Sequence, residues 1–287
     1  MRKLRRSIVA LTLLAAAASP AFAGIHYKST TRTEAPSAQP MVMQVEGWVS
    51  GPKAKIEFDE ASGNPMVRKG AYLVTKNGGQ TLYLVDPKEK TYAEWDLQAM
   101  LGFAGSVMNG MGPLLKVEFA NLKTEKLLDE DGGAILGLPT KHYRFRTSYT
   151  MKMRVMGMAN ESDVVTDQDV WVTQKLQDAG LGAWLRSSPP RTGNEQFDKL
   201  INAEWSNIQG YPLKMVSVST STPKKKGQPT TTRTTMEVTQ LDASATVADS
   251  AFEIPAGYEE TQMMPAPGSE AGGFGGLFNK KKKDGGE

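Results

Sequence analysis

Alternation of apolar and polar residues is the strongest pattern in this chain. Across residues 142–155 every odd position except Thr147 is aromatic, Met or Val, whereas the even positions are basic or hydroxyl-bearing. A period of two is typical of a β-strand with one buried and one solvated face. The segment 54–58 repeats the pattern, because Ala, Ile and Phe alternate there with Lys and Glu. The chain is therefore predicted to be rich in half-buried strands.

Similar stretches recur along most of the chain and are separated by turn sequences rich in Gly, Asn, Asp and Pro, such as Asp131-Gly132-Gly133. The predicted strands span residues 25–34, 40–50, 53–60, 71–76, 80–85, 91–95, 115–127, 140–156, 162–174, 212–222 and 230–242. Short links between neighbouring strands favour an antiparallel meander. Long strands with one solvated face curl to bury their apolar sides. The predicted fold is mainly β, with some α+β character: a half-open antiparallel β-barrel with covering helices.

Two segments depart from this period and are predicted to be helices. The segment 97–115 contains no ionisable side chain and follows Asp96, which suits an N-cap. Its apolar residues at helical spacing form one stripe: Met100, Phe103, Ala104, Val107, Met108 and Met111. The second helix begins at a capping box of Thr192 and Glu195 and ends near Gly210.

The uncharged 97–115 helix has two open interpretations. As a static plug, it would use its glycines to contact the sheet closely. As a mobile lid, it would exploit the cost of about 0.5–1 kcal/mol for each interior glycine and the adaptable surface of its methionines. In the lid hypothesis the candidate ligand-lining residues are Met100, Phe103, Val107, Met108 and Met111, with Trp48, Tyr92 and Trp171 as aromatic walls.

The first residues of the chain predict export. Four basic residues at positions 2–6 precede an uncharged apolar run at 8–18, and Ala21-Phe22-Ala23 has the pattern that signal peptidase cleaves. We expect residues 1–23 to be a signal peptide, 24–258 a single domain, and 259–287 a disordered tail rich in Gly, Pro and Lys. The mature protein is then predicted to be a periplasmic monomer.

Composition narrows the function further. Cysteine is absent, which excludes disulfides, thiolate metal sites and a lipid-modified cysteine anchor. Removal of the signal leaves 30 basic and 31 acidic residues, so the mature chain has no net positive charge with which to bind nucleic acid. The four lysines Lys280, Lys281, Lys282 and Lys283 could make peripheral contact with anionic lipid headgroups.

The sequence contains few candidate catalytic residues. His26 and His142 are the two histidines, and no serine lies in a Gly-x-Ser-x-Gly elbow. His142 as the general base of a hydrolase is one alternative, and a solvated strand histidine is the interpretation we favour. No cofactor is predicted, and we expect a protein that is not an enzyme.

A second alternative is a Cu(I) site, since thioether sulfur selects that ion. Its ligands would be Met151, Met153, Met156 and Met158. The period of two places Met151 and Met153 on the apolar face, and continued through Gly157 it places the other two on the opposite face. Core packing is therefore the favoured interpretation of these methionines.

Several segments, taken in order, carry a family resemblance. They are Leu82-Tyr83-Leu84-Val85-Asp86, Lys90-Thr91-Tyr92, Gly137-Leu138-Pro139-Thr140-Lys141-His142-Tyr143, Val170-Trp171-Val172, Gly210-Tyr211-Pro212-Leu213-Lys214 and Phe252-Glu253-Ile254-Pro255-Ala256-Gly257-Tyr258. In this order the chain resembles an uncharacterised bacterial exported family related to the periplasmic lipoprotein carriers of the LolA/LolB type. The resemblance implies an unclosed antiparallel sheet around an apolar cavity and ligands that are acyl chains, lipids or lipoproteins. We therefore expect a non-enzymatic periplasmic protein that binds such an apolar ligand in a sheet cavity.

Overall fold

One twelve-stranded β-sheet contains most of the chain that the structure describes. The computed structural model describes residues 23–36, 38–62, 67–94, 115–155, 158–176 and 209–261, together with residues 195, 198, 199 and 202. The strands are β1 (Ala23–Glu34), β2 (Met41–Ser50), β3 (Lys53–Ser62), β4 (Tyr72–Thr75), β5 (Tyr83–Asp86), β6 (Thr91–Glu94), β7 (Leu115–Ile135), β8 (Leu138–Val155), β9 (Met158–Thr173), β10 (Tyr211–Pro223), β11 (Thr230–Thr246) and β12 (Glu259–Glu260). Two short 3₁₀ helices, Gln174–Leu176 and Asp249–Phe252, follow β9 and β11.

The sheet consists of two antiparallel meanders, β1 to β6 and β7 to β11, which are joined by the pairing of β1 with β11. The strand order is β12-β6-β5-β4-β3-β2-β1-β11-β10-β9-β8-β7. β1 pairs with β2 on one side and with β11 on the other, so the first and last long strands lie at the centre of the sheet. β12 adds to the edge at β6 in the parallel direction. Within the described residues the sheet is open, with β7 and β12 at its two edges.

The mainly β fold predicted from the sequence is confirmed, and each of the predicted strands is present. The described strands do not close into a barrel. The predicted helix at 97–115 lies outside the described residues except for Leu115, which instead begins β7. Of the second predicted helix, Glu195, Asp198, Lys199 and Asn202 are described and helical. The predicted signal peptide falls outside the described residues except for Ala23, and so does the tail from residue 262.

The largest boundary difference concerns β7, which continues to Ile135 instead of ending at 127. The sequence Asp131-Gly132-Gly133, interpreted as a turn, lies inside the strand as a bulge. The chain reverses at Leu136 and Gly137, where φ is 51° and 77°. Positive φ at both central residues is the geometry of a type I′ hairpin, which a bulky Leu rarely adopts. The sequence therefore has no strong signal for the true turn.

Residues 247–258, which we call the C-terminal segment, pack across the short strands of the first meander. Phe252, which has no solvent exposure, contacts a buried cluster that includes Tyr72, Val74 and Val85. Lys53 binds Asp249 at 2.8 Å, and Lys76 forms an ion pair with Glu253. This segment therefore covers one face of β4 and β5 and contributes the core of that part of the sheet.

Candidate ligand-binding face

The two faces of the long strands differ in charge. On one face, which we call the charged face, cross-strand pairs such as Arg146 with Asp167 and Lys214 with Glu237 lie in register. The opposite face, which we call the uncharged face, contains Tyr143 and Phe145 of β8. It continues over the residues that lie on the same side of β9, β10, β11, β1 and β2. Among the described residues of these six adjacent strands, the uncharged face contains no Asp, Glu, Lys, Arg or His apart from Lys141 at the start of β8.

Beside these six strands, β7 carries charged side chains on the same side of the sheet. Lys126 of β7 pairs with Asp129 at 2.6 Å, and its Nζ lies 5.7 Å from the ring centroid of Tyr143. The exposed Lys141 lies beside the same carboxylate, with Nζ 3.9 Å from Asp129. The uncharged face therefore begins inward of this ion-paired edge.

An apolar row crosses the uncharged face at right angles to the strands. Its members, in order from β8 to β2, are Tyr143, Val170, Met215, Met236, Thr31 and Met43. Tyr143 and Val170 are buried, and the three methionines are half-buried. Since neighbouring strands lie about 4.8 Å apart, the row extends roughly 19 Å from β9 to β2. Flexible thioether side chains give this surface a shape that adapts to an apolar partner.

Hydroxyl and amide side chains occupy the next two rows toward the hairpin ends of the strands. One row contains Gln168, Ser217, Thr234 and Thr33, and the other contains Thr147, Thr166, Ser219 and Thr232. Pairs of hydroxyls lie within hydrogen-bond distance, as Thr33 with Thr234 at 3.1 Å and Thr166 with Ser219 at 3.0 Å. We call these two rows the hydroxyl band. The band is polar without being charged, unlike the opposite side of the same strands.

At the other end of the uncharged face the ring of Tyr27 lies over β2. A Cβ atom at Gly47, its cross-strand partner, would stand 2.3 Å from the ring. Tyr27 also meets Tyr211 edge to face, with ring centroids 6.2 Å apart. Burial raises the pKa of Tyr27 and raises the pKa of Tyr211 well above its ordinary value. Both phenols are therefore kept neutral, which extends the absence of charge to this end of the face.

The charged face holds the most unexpected side chain, His142. We expected a solvated histidine, but this residue is 8% exposed and its ring stacks on Trp171 with centroids 4.2 Å apart and planes 3° apart. Its Nε2 lies 2.7 Å from Asp169 and its Nδ1 lies 3.2 Å from Glu130. The solvated interpretation was therefore wrong. Sequence reasoning missed it because the ring is covered by partners on two neighbouring strands.

The three predicted aromatic walls lie on the charged side of the sheet, opposite the methionine row. Trp48 stacks on His26 at 5.4 Å and packs with Tyr92 against the cluster around Phe252. Trp171 lies apart, between His142 and Lys214, whose Nζ is 5.4 Å from the indole centroid. The structure therefore brings Trp48 and Tyr92 into one cluster and leaves Trp171 in another. The predicted lid residues Met100, Phe103, Val107, Met108 and Met111 lie outside the described residues.

Tyr92 also lines an open cleft of about 410 Å³. Its apolar side is formed by Val74, Tyr83, Tyr92, Phe252 and Ile254, and its polar side by Thr75, Lys76, Asn77, Thr81 and Glu253. Tyr83 and Tyr92 meet edge to face at 5.9 Å. This cleft belongs to the region where the C-terminal segment covers the first meander.

The proposed copper ligands are arranged differently from the sequence expectation. Met158 pairs directly with Val155 across the β8–β9 hairpin, so it lies on the same face as Met151 and Met153. The period of two places Met158 on the opposite face only if the strand continues, whereas Met158 begins β9, which runs antiparallel to β8. Met158 is 68% exposed, and Met156 lies outside the described residues. The copper hypothesis stays a prediction.

Within the described part of the chain, no group of three or more His, Asp or Glu residues could hold a metal ion. None of the helices in this part of the chain is long and apolar enough to cross a membrane.

Residues 136–258 match the family model of a domain of unknown function, DUF4412. This match begins at the β7–β8 turn and ends at the C-terminal segment, so it includes four of the six strands of the uncharged face, β8 to β11. The search of curated proteins gives no significant match.

Solved structures similar to this chain include the type that the sequence resemblance predicted. A LolA superfamily protein of Nitrosomonas europaea is 11% identical and covers 82% of this chain and 91% of its own, with a TM-score of 0.29. An uncharacterized conserved protein of Thermus thermophilus is 7% identical over 84% of this chain and 90% of its own, with a TM-score of 0.34. A third, PNGF-II, is 12% identical over 83% of this chain and 31% of its own, with a TM-score of 0.33. With TM-scores below 0.5, these likenesses assign neither a ligand nor a site to this chain.

Proposed function

We propose that this is an exported, non-enzymatic protein that binds an apolar ligand, an acyl chain of a lipid or lipoprotein, on the uncharged face of its sheet. The observation that carries the proposal is that acidic, basic and histidine side chains crowd one face of six adjacent strands, while the described part of the other has only Lys141, at its margin. A charge left without a partner beside a bound hydrocarbon chain would cost several kcal/mol. Each methylene group buried on this face would instead contribute about 0.8 kcal/mol.

The apolar row supplies the contact surface of this site. Because Met43, Met215 and Met236 lie in register on different strands, an extended chain lying across the strands would meet a thioether on β2, β10 and β11.

A binding role agrees with the chemistry of the described histidines better than catalysis does. Both ring nitrogens of His142 face carboxylates, and the ring is covered by Trp171. His26 is engaged in the same way, with Nε2 2.6 Å from Glu46 and its ring on Trp48. These partners are carboxylates and indoles, whereas a hydrolytic triad places a nucleophilic hydroxyl on the histidine. We propose that both histidines are structural parts of the charged face, and that export delivers the protein to the periplasm.

The test uses adjacent threonines of β1 that point to opposite faces. Thr31→Lys places a charge in the apolar row, whereas Thr30→Lys places the same charge on the charged face, beside Glu237. Binding is measured with a neutral acylglycerol that carries pyrene on its acyl chain, and circular dichroism checks that both variants fold. We expect Thr31→Lys to weaken binding at least about tenfold, which corresponds to about 1.4 kcal/mol, and Thr30→Lys to bind like the parent. Equal binding by all three proteins, or no binding by the parent, would overturn the proposal.

A further inference from the structure

We infer that the ligand of the uncharged face is an amphiphile with a neutral headgroup rich in hydroxyls, such as a glycolipid, whose headgroup lies on the hydroxyl band. The inference rests on the proposed function, since it assigns the headgroup of the same ligand. It comes from the order of the rows, because the apolar row and the hydroxyl band are neighbours on one face of the same strands.

The position of the band fits an amphiphile. Thr31 of the apolar row and Thr33 of the band are successive residues on the uncharged face of β1, and Met236 and Thr234 have the same relation on β11. A ligand whose chain follows the apolar row would therefore place its polar end on the hydroxyl band, which lies two to four residues from the row along the strands. The hydroxyl groups would meet it at intervals of about 4.8 Å, the distance between neighbouring strands.

The hydroxyls have the capacity to bind such a headgroup. A Ser or Thr hydroxyl has one donor and two acceptor positions, so the Thr33 to Thr234 contact and the Thr166 to Ser219 contact leave further positions on each oxygen. Gln168 adds an amide, whose Nε2 contacts Met215 Sδ at 3.3 Å and so connects the band to the apolar row. These groups both donate and accept, as the hydroxyls of a sugar do.

The absence of charge selects against other headgroups. A phosphate, carboxylate or ammonium group on the band would lose hydration, and the described residues of the band offer it no counter-charge. The charges of the same strand segments, such as Arg146, Asp167 and Arg233, lie on the charged face. The β-propensity of threonine would by itself explain the hydroxyls of the band, but it would not explain the absence of charged side chains among them.

The experiment compares three ligands that share one dodecyl chain and differ in the headgroup. Dodecyl maltoside, dodecylphosphocholine and dodecanoate compete, below their micellar concentrations, with the pyrene-labelled acylglycerol for the full chain. We expect the maltoside to bind at least about tenfold more tightly than the other two. Equal affinities, or tighter binding of a charged ligand, would overturn this inference and leave the proposed function intact. Failure of all three ligands and of the labelled probe would overturn the proposed function itself.

Matched double variants locate the headgroup. Thr33→Val with Thr234→Val removes a hydrogen-bonded pair of the band, while Thr30→Val with Thr235→Val removes hydroxyls from the charged face of the same two strands. The band variant is expected to bind the maltoside about tenfold more weakly and dodecylphosphocholine as before, and the control is expected to bind both like the parent. An unchanged preference for the maltoside in the band variant would overturn the inference.

Discussion

Gly47 shows how one residue without a side chain makes room for a buried ring. The ring of Tyr27 occupies the space above Gly47, and a methyl group there would approach it to 2.3 Å. The ring is also held by Tyr211, so it has little freedom to move. We expect Gly47→Ala to lower the free energy of unfolding by about 1–3 kcal/mol, as overpacking does, measured by urea denaturation.

A double-mutant cycle distinguishes this crowding from a loss of strand stability. In a Tyr27→Ala background the same Gly47→Ala change should cost much less, because the methyl group then meets no ring. Equal costs in both backgrounds would show that the ring is not the cause. An isolated glycine within a strand pattern suggests close approach of another group, but the partner could not be identified from the sequence alone.

The buried phenol of Tyr72 is expected to make the folded protein less stable at alkaline pH. Burial raises its pKa to about 12, from an ordinary value near 10. Between these values the folded state binds more protons than the unfolded state, so the free energy of unfolding falls as the pH rises. Tyr72→Phe, which has no phenol, should show a shallower fall between about pH 10 and 12 in urea denaturation at stepped pH. Identical slopes for the variant and the parent would contradict a role for this phenol.

At the level of strands, the period of two carried most of the predictive information. It located the strands and assigned Tyr143 and Phe145 to a buried face, as the structure confirms. It did not locate the chain reversals. A turn changes which face the following residues occupy, so a missed turn changes the predicted face. Met158 lies on the apolar face for that reason, and β7 is longer than predicted because Asp131-Gly132-Gly133 forms a bulge instead of a turn. Turn position depends on φ values that Leu136 adopts here against its preference.

The register between strands also explains the burial of His142. Glu130, His142 and Trp171 are directly opposite one another on β7, β8 and β9. The sequence showed a basic residue at a polar position of its strand. It could not show that the facing residue is a tryptophan, because pairing between strands is not a local property of the chain.

His142 and Trp171 are expected to stabilise the pairing of β8 with β9. Their stacked rings should show a coupling energy of about 0.5–1.5 kcal/mol in a double-mutant cycle of His142→Ala and Trp171→Ala, measured by urea denaturation. A hydrolase that used His142 would lose its activity in the single variant, whereas the proposed binding function predicts that His142→Ala still binds the labelled acylglycerol. Additive single costs would indicate that the rings do not stabilise each other.

At the level of the whole molecule, the contacts that join the two meanders are distant in sequence. β1 pairs with β11, and the segment after β11 returns to cover β4 and β5. The sequence indicated each long strand but could not indicate that the first would lie at the centre of the sheet. It also did not predict β12, because two consecutive glutamates have no strand pattern.

Substitution of Phe252 tests whether the C-terminal segment stabilises the short strands β4 and β5. Its ring has no solvent exposure and contacts the cluster of Tyr72, Val74 and Val85, which the short strands β4 and β5 could not bury alone. Phe252→Ala should therefore lower the free energy of unfolding by about 3–5 kcal/mol. Asp249→Ala, which removes the exposed carboxylate that binds Lys53, should cost at most about 1 kcal/mol. Both costs are measured by urea denaturation, and hydrogen exchange in β4 and β5 should become faster in the Phe252→Ala variant. Comparable costs for the two variants, with unchanged hydrogen exchange, would show that charges and not the ring hold the segment.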